Sequence, residues 1–110
     1  MIRHVRMKYW HFAWDHPEDE EKIVPKLRMF IEIAKPNKKN VIVYCLVNFS
    51  STLEQDFHRI YTLRKLGIQP YLMIYDKEHA DPIYRKMQRW VNAPYIFWST
   101  PKYEDYKNSL

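Results

Sequence analysis

Asn40-Val-Ile-Val-Tyr-Cys-Leu-Val-Asn-Phe-Ser-Ser-Thr52, followed by Leu53-Glu-Gln-Asp-Phe-His-Arg-Ile-Tyr-Thr-Leu-Arg-Lys-Leu-Gly67 and Ile68-Gln-Pro-Tyr-Leu-Met-Ile-Tyr-Asp76, decides the fold. Val41–Val47 is an unbroken apolar, β-branched run. That pattern fits a strand buried on both faces of a parallel sheet better than a one-sided strand of alternating polarity. Asn48–Thr52 has turn composition. Ser51 with Glu54, or Thr52 with Gln55, has the spacing of a capping box, in which a hydroxyl accepts from first-turn N–H groups and the side chain three residues on reaches back. Leu53, Phe57, Ile60, Leu63 and Leu66 then fall on one helical stripe, while Glu54, Gln55, His58, Arg59, Thr62 and Lys65 lie mainly off it. Gly67 sits where a left-handed residue ends a helix. Pro70–Tyr75 is the next apolar strand. Strand, helix and strand with short connections imply a parallel pair and a right-handed crossover.

Working outward, the strand formers of Val5–Trp14 predict a first strand. Asp15-His16-Pro17 stops it and restarts the chain as a helix, with Glu18–Glu21 at the positive end of the helix dipole. Ile23, Leu27, Phe30, Ile31 and Ala34 continue at helical spacing. Pro25 would remove a hydrogen bond in mid-helix at about 3 kcal/mol, so either the helix kinks there or it begins near Glu21. Lys35–Asn40 reads as a basic loop. Beyond Tyr75, Asp76–Ala80 is a polar loop, and Asp81-Pro82 is a cap followed by proline at the first helical position. Ile83, Met87, Trp90 and Val91 form that helix's apolar face, and Asn92-Ala-Pro94 ends it. Tyr95–Trp98 reads as a short last strand, and Thr100-Pro101 as the start of a terminal helical turn through Tyr106. The alternation predicts one α/β domain of three to four consecutive β/α units with a mostly parallel sheet.

The totals narrow the class. A chain of 110 residues, 46% hydrophobic and 16% aromatic, can form a modest core and is not compositionally disordered. Mean hydropathy is −0.60, and no apolar run approaches the roughly 18 residues of a membrane span. Met1-Ile-Arg-His-Val-Arg has no apolar stretch behind its charges, so no signal peptide is read. A single cysteine, Cys45, excludes an intrachain disulfide and suits a reducing cytosol, giving a cytoplasmic expectation. The net charge of +5 permits an anionic partner, but the cations are scattered, as on solvated faces.

Four stretches together resemble the C-terminal half of a radical S-adenosylmethionine (radical SAM) protein: His11-Phe-Ala-Trp-Asp15; Tyr44–Thr52 with Glu54 and Asp56; Arg64-Lys-Leu-Gly-Ile-Gln-Pro70; and Arg89-Trp-Val-Asn92. The resemblance covers most of the chain. It implies that the β/α units are the later units of that family's partial TIM-type barrel. It also implies S-adenosylmethionine and a [4Fe–4S] cluster as cofactors of a complete parent protein. This chain departs from the pattern in two places. A cluster of that kind needs several thiolates, and only Cys45 is present. The family's glycine in the turn after the middle strand is Asn48 here, which adopts a left-handed backbone less readily. The isolated chain is therefore expected to lack the cluster and to be catalytically inactive.

In parallel α/β folds ligands gather at the carboxyl ends of the strands. Those ends bring forward Asp15, Asn48, Ser50 and Asp76, which the resemblance would place facing S-adenosylmethionine or substrate; the plainer reading makes each a cap or turn residue. His4, His11, His16 and the acidic Glu18–Glu21 run fit no closed zinc spacing, so no metal site is expected. His58 and His79 read as solvated. Cys45 in an apolar strand has its thiolate disfavoured and reads as inert core. Trp10, Trp14, Trp90 and Trp98 read as core or interface before stacking platforms. With Gly67 as the only glycine, no glycine-rich phosphate loop exists.

Two functions follow. The first is a noncatalytic barrel fragment that works only with a missing N-terminal half. The second is a stand-alone basic interaction domain for a protein or anionic partner, with nucleic acid the weaker choice. Open apolar sheet edges further predict self-association, edge to edge.

Overall fold

The computed structural model describes residues 9–35 and 40–108. Three strands, β1 (Trp10–Ala13), β2 (Val41–Val47) and β3 (Gln69–Ile74), form one sheet in the order β1-β2-β3. Both pairings are parallel, with Phe12 beside Val43 and Val43 beside Pro70. The helices are α1 (Glu20–Ala34), α2 (Leu53–Leu66), α3 (Ile83–Val91), α4 (Pro94–Ser99) and α5 (Tyr103–Asn108), and a 3-10 turn at Pro17–Asp19 precedes α1. The first strand is shorter than its composition predicted; residues 5–8 of that expectation lie outside the described residues.

Local chemistry explains the helices. Of the two possible capping boxes the chain uses Thr52 with Gln55: Thr52 Oγ1 accepts from the Gln55 N–H, and Gln55 Oε1 accepts from the Thr52 N–H. Gly67 ends α2 at φ 77°, a region where a Cβ would be costly. The Asp81 carboxylate accepts from the Ile83 N–H at the start of α3. Helix α1 begins at Glu20 and passes through Pro25. Pro25 and its acceptor position Glu21 are both exposed, so the carbonyl that loses a donor lies on the solvent side.

One side of the sheet carries the core. Val41, Val43, Cys45 and Val47 have no exposed surface, and Leu72 joins them. Leu27 of α1, Ile60 and Leu63 of α2, and Met87, Trp90 and Val91 of α3 complete the same cluster. Each fully buried aliphatic side chain contributes roughly 1.5–3 kcal/mol. Strand residues of the opposite parity face the other way and stay partly open: Tyr71 is 43%, Met73 42% and Tyr75 49% exposed. His11, Tyr44 and Tyr71 line up there edge to face, with ring centroids 5.3 and 5.5 Å apart. The expectation that β2 is buried on both faces is corrected. Its apolar run reflects helices on one side and this aromatic row on the other.

A second correction concerns Tyr95–Trp98, which forms α4 and not a strand, so among the described residues the sheet has three strands. Pro94 supplies a first helical residue with φ preset. Tertiary contacts then hold the turn: Arg64 donates to the carbonyls of Phe97 and Trp98 and lies over both rings, and Trp98 Nε1 donates to Gln69 Oε1. At Leu72 the outer side of β3 is taken by a side chain and not by a strand. The Asn92 amide accepts from the Leu72 N–H at 2.8 Å and donates to the Leu72 carbonyl at 3.1 Å, acting as a one-residue strand.

Candidate functional site

The polar centre of the molecule lies where the strands end. Hydrogen bonding between β1 and β2 runs out at Trp14, whose N–H donates to the Tyr44 carbonyl. The next groups on that seam, the carbonyls of Trp14 and Leu46 and the N–H of Leu46, have no strand partner. Arg59 and Asp15 replace it. Arg59 Nη1 donates to the Trp14 carbonyl at 2.6 Å and Nη2 to the Leu46 carbonyl at 2.9 Å. Asp15 Oδ1 accepts from the Leu46 N–H at 3.0 Å. Arg59 is fully buried and forms an ion pair with the equally buried Asp56, Nη2 to Oδ1 at 2.6 Å. The remaining Asp56 lone pairs accept from Ser51 Oγ, the Asn48 N–H and Tyr84 Oη. One ion pair thus ties together the ends of β1 and β2, the turn into α2, and α3. Burial, followed by the bond to Asp56, raises the Tyr84 phenol above its ordinary value.

Arg59 and Asp56 were not singled out as a pair by sequence reasoning, and Arg59 was placed on a solvated face. The signal was present. Asp56, Arg59, Ile60 and Leu63 follow i, i+3, i+4, i+7 spacing, and these are the buried residues of α2. Two opposite charges on the inner stripe of a helix need each other.

The four predicted residues all lie at this rim with separate duties. Asn48, Ser50 and Asp76 have positive φ, at 63°, 51° and 49°, as tight turns require. Asn48 Nδ2 donates to the Tyr75 carbonyl, tying the ends of β2 and β3. Asp76 Oδ1 lies 2.9 Å from His79 Nδ1, and that bond raises the exposed histidine's pKa. Asp15 and Asn48 join the seam around Leu46. Of the four, only Ser50 lines the adjacent open groove of about 660 Å³, beside Glu18, Glu20, Thr52, Glu54 and His58. His58 Nε2 meets Glu20 Oε1 across it at 2.8 Å.

Cys45 lies at the centre of β2 with no exposed surface, and burial pushes its thiol up to about 12. Trp14 and Trp90 are core, Trp10 packs edge-on against Phe30, and Trp98 bonds Gln69. Among the described residues no group of three or more His, Cys, Asp or Glu side chains is placed to hold a metal ion, and no helix is long and apolar enough to cross a membrane. Comparison with protein-family models, curated proteins and solved structures finds no match.

Proposed function

We propose that the chain supplies the C-terminal β/α units of a radical SAM-like barrel and performs no chemistry by itself. The observation that carries this reading is the one-sided sheet. Three parallel strands bury one face against α1, α2 and α3 and leave the other, with Tyr44, Tyr71 and Met73, partly open. An inner barrel wall has this form, and its ligands belong at the carboxyl rim. Asp15, Asn48, Ser50 and Asp76 are the rim residues that would face S-adenosylmethionine. The carboxylates of Asp15, Glu18, Glu20, Glu54 and Asp76 suit a ligand that carries a sulfonium and an ammonium.

The cluster does not fit this chain. Its iron needs thiolates, and the sole thiol is sealed in the core and held neutral. An N-terminal partner half would have to provide those ligands. The test is a titration of the ¹⁵N-labelled chain with S-adenosylmethionine. Shifts at Asp15, Asn48, Ser50 and Asp76 are expected; shifts confined to other loops, or none, reject the ligand. The DNA upstream of Met1 supplies a second check, because a continuous reading frame with three closely spaced cysteines is expected there.

The half-exposed Tyr71 and Tyr75 favour one other reading, an interaction domain presenting its sheet face. If that partner is nucleic acid, affinity falls as salt rises, through counterion release. Unshifted oligonucleotide mobility even at low salt rejects it.

A further inference from the structure

The open face of the sheet has an internal order. Tyr44 pairs in register with Tyr71, and Leu46 with Met73 two residues on. Beyond them Phe49 and Tyr75 meet edge to face with ring centroids 4.8 Å apart, and His16 lies 5.9 Å from Phe49. At about 3.3 Å per residue, Tyr71 and Tyr75 stand about 13 Å apart along the chain, with Met73 midway. Leu46 and Met73 therefore floor a strip between two aromatic rows. Asp15 marks its β1 end, because Oδ1 accepts from the Leu46 N–H. Tyr71, Met73 and Tyr75 all keep large exposed surfaces along this strip.

Size and charge select the occupant. Three strands about 4.8 Å apart, the longest of seven residues, present about 300 Å². A specific protein interface takes about 800 Å² from each partner, so this face by itself suits a small molecule. The strands contain no Lys, Arg, Asp or Glu, whereas a nucleic-acid backbone needs cations to track it. The residues just past the strand ends, 14–18, 48–52 and 75–79, hold Asp15, Glu18, Asp76 and Glu78 against Lys77 as the one lysine or arginine. Aromatic faces and carboxylates both attract an organic cation and disfavour an anion.

We infer that the open face binds a small organic cation carried on a flat apolar body. The body lies on Leu46 and Met73 between the two aromatic rows, and the cationic end meets Asp15 and the carboxyl rim. The inference rests on the same open face as the barrel reading, but it needs neither a missing half nor S-adenosylmethionine.

The experiment is a titration of the ¹⁵N- and ¹³C-methyl-labelled full chain with three probes of one shape: phenethylamine, phenethyl alcohol and 3-phenylpropionate. Expected are saturable shifts at Leu46, Tyr71, Met73 and Tyr75. The amine should bind about fivefold tighter than the alcohol, and the anion weakest. Asp15→Asn keeps an acceptor for the Leu46 N–H and should erase the preference for the amine. Tyr71→Leu should weaken amine and alcohol alike. If either variant does not fold, the wild-type shift map and the order of the three probes decide alone. Shifts confined to other surfaces, no saturable shift with the amine, or equal affinity for amine and alcohol overturn the inference. So does a folded Tyr71→Leu chain that binds as wild type. S-adenosylmethionine without effect beside phenethylamine that binds rejects the ligand of the barrel reading and upholds this inference; the opposite pattern rejects this inference alone.

Discussion

Replacing Arg59 by methionine removes the charge that holds the carboxyl end of the sheet. The substitution keeps much of the side-chain volume but strips the carbonyls of Trp14 and Leu46 of their donor and removes one of the two donors to Asp56 Oδ1. Asp56 retains Ser51, Tyr84 and the Asn48 N–H, so it stays hydrogen-bonded but becomes a buried charge without a counter-charge. Breaking one side of a buried pair costs about 3–5 kcal/mol. A domain of this size has only about 5–15 kcal/mol in total. At roughly 4–8 °C per kcal/mol, the midpoint should fall by about 12 °C or more. The assay is urea and thermal unfolding followed by circular dichroism. Asp56→Asn combined with Arg59→Met should cost clearly less than the sum of the two single changes, with a coupling of about 1–3 kcal/mol. An Arg59→Met cost below about 1 kcal/mol, or strict additivity, refutes the description of a buried, mutually dependent pair.

Three further outcomes follow from the same contacts. Cys45 should be silent to a thiol reagent under native conditions and react at the rate of global unfolding, because its thiol is sealed and stays neutral up to about 12; stoichiometric labelling of the folded chain contradicts this. Tyr84→Phe should cost about 1–2 kcal/mol by removing one donor to Asp56. Because the folded-state value of Tyr84 is raised above its ordinary 10.0, its contribution is present below pH 10 and is lost as pH rises further, so alkaline titration should narrow the gap between wild type and this variant. Asn92→Ala should expose the Leu72 N–H and speed its exchange; an unchanged Leu72 exchange rate contradicts the bidentate bond.

The elements that the sequence made legible were those whose signals are local. Gly67 and Asp81 end and begin helices through their own backbone or side-chain chemistry, and Thr52 with Gln55 was one of two boxes named. The apolar runs at 41–47 and 70–75 located β2 and β3 to within a residue. Tyr95–Trp98 was misread because its aromatic composition favours a strand, whereas Arg64, thirty-odd positions away, holds those carbonyls in a helix. The rim residues Asp15, Asn48, Ser50 and Asp76 were found as positions, since strand ends can be read from periodicity. Their work on Leu46, Tyr75 and His79 depends on register, which one sequence does not display. The same limit hid the cap on Leu72: Asn92 reads as a helix end until Leu72 is set beside it.

Everything above depends on a sheet that buries one face and leaves the other open. The most direct measurement is nuclear relaxation of the folded chain with a soluble, uncharged paramagnetic chelate. Strong enhancement is predicted at the side chains of His11, Tyr71, Met73 and Tyr75, with little at Val43, Cys45, Ile60 and Leu72. Equal protection of both sets, or the reverse order, would contradict the one-sided sheet.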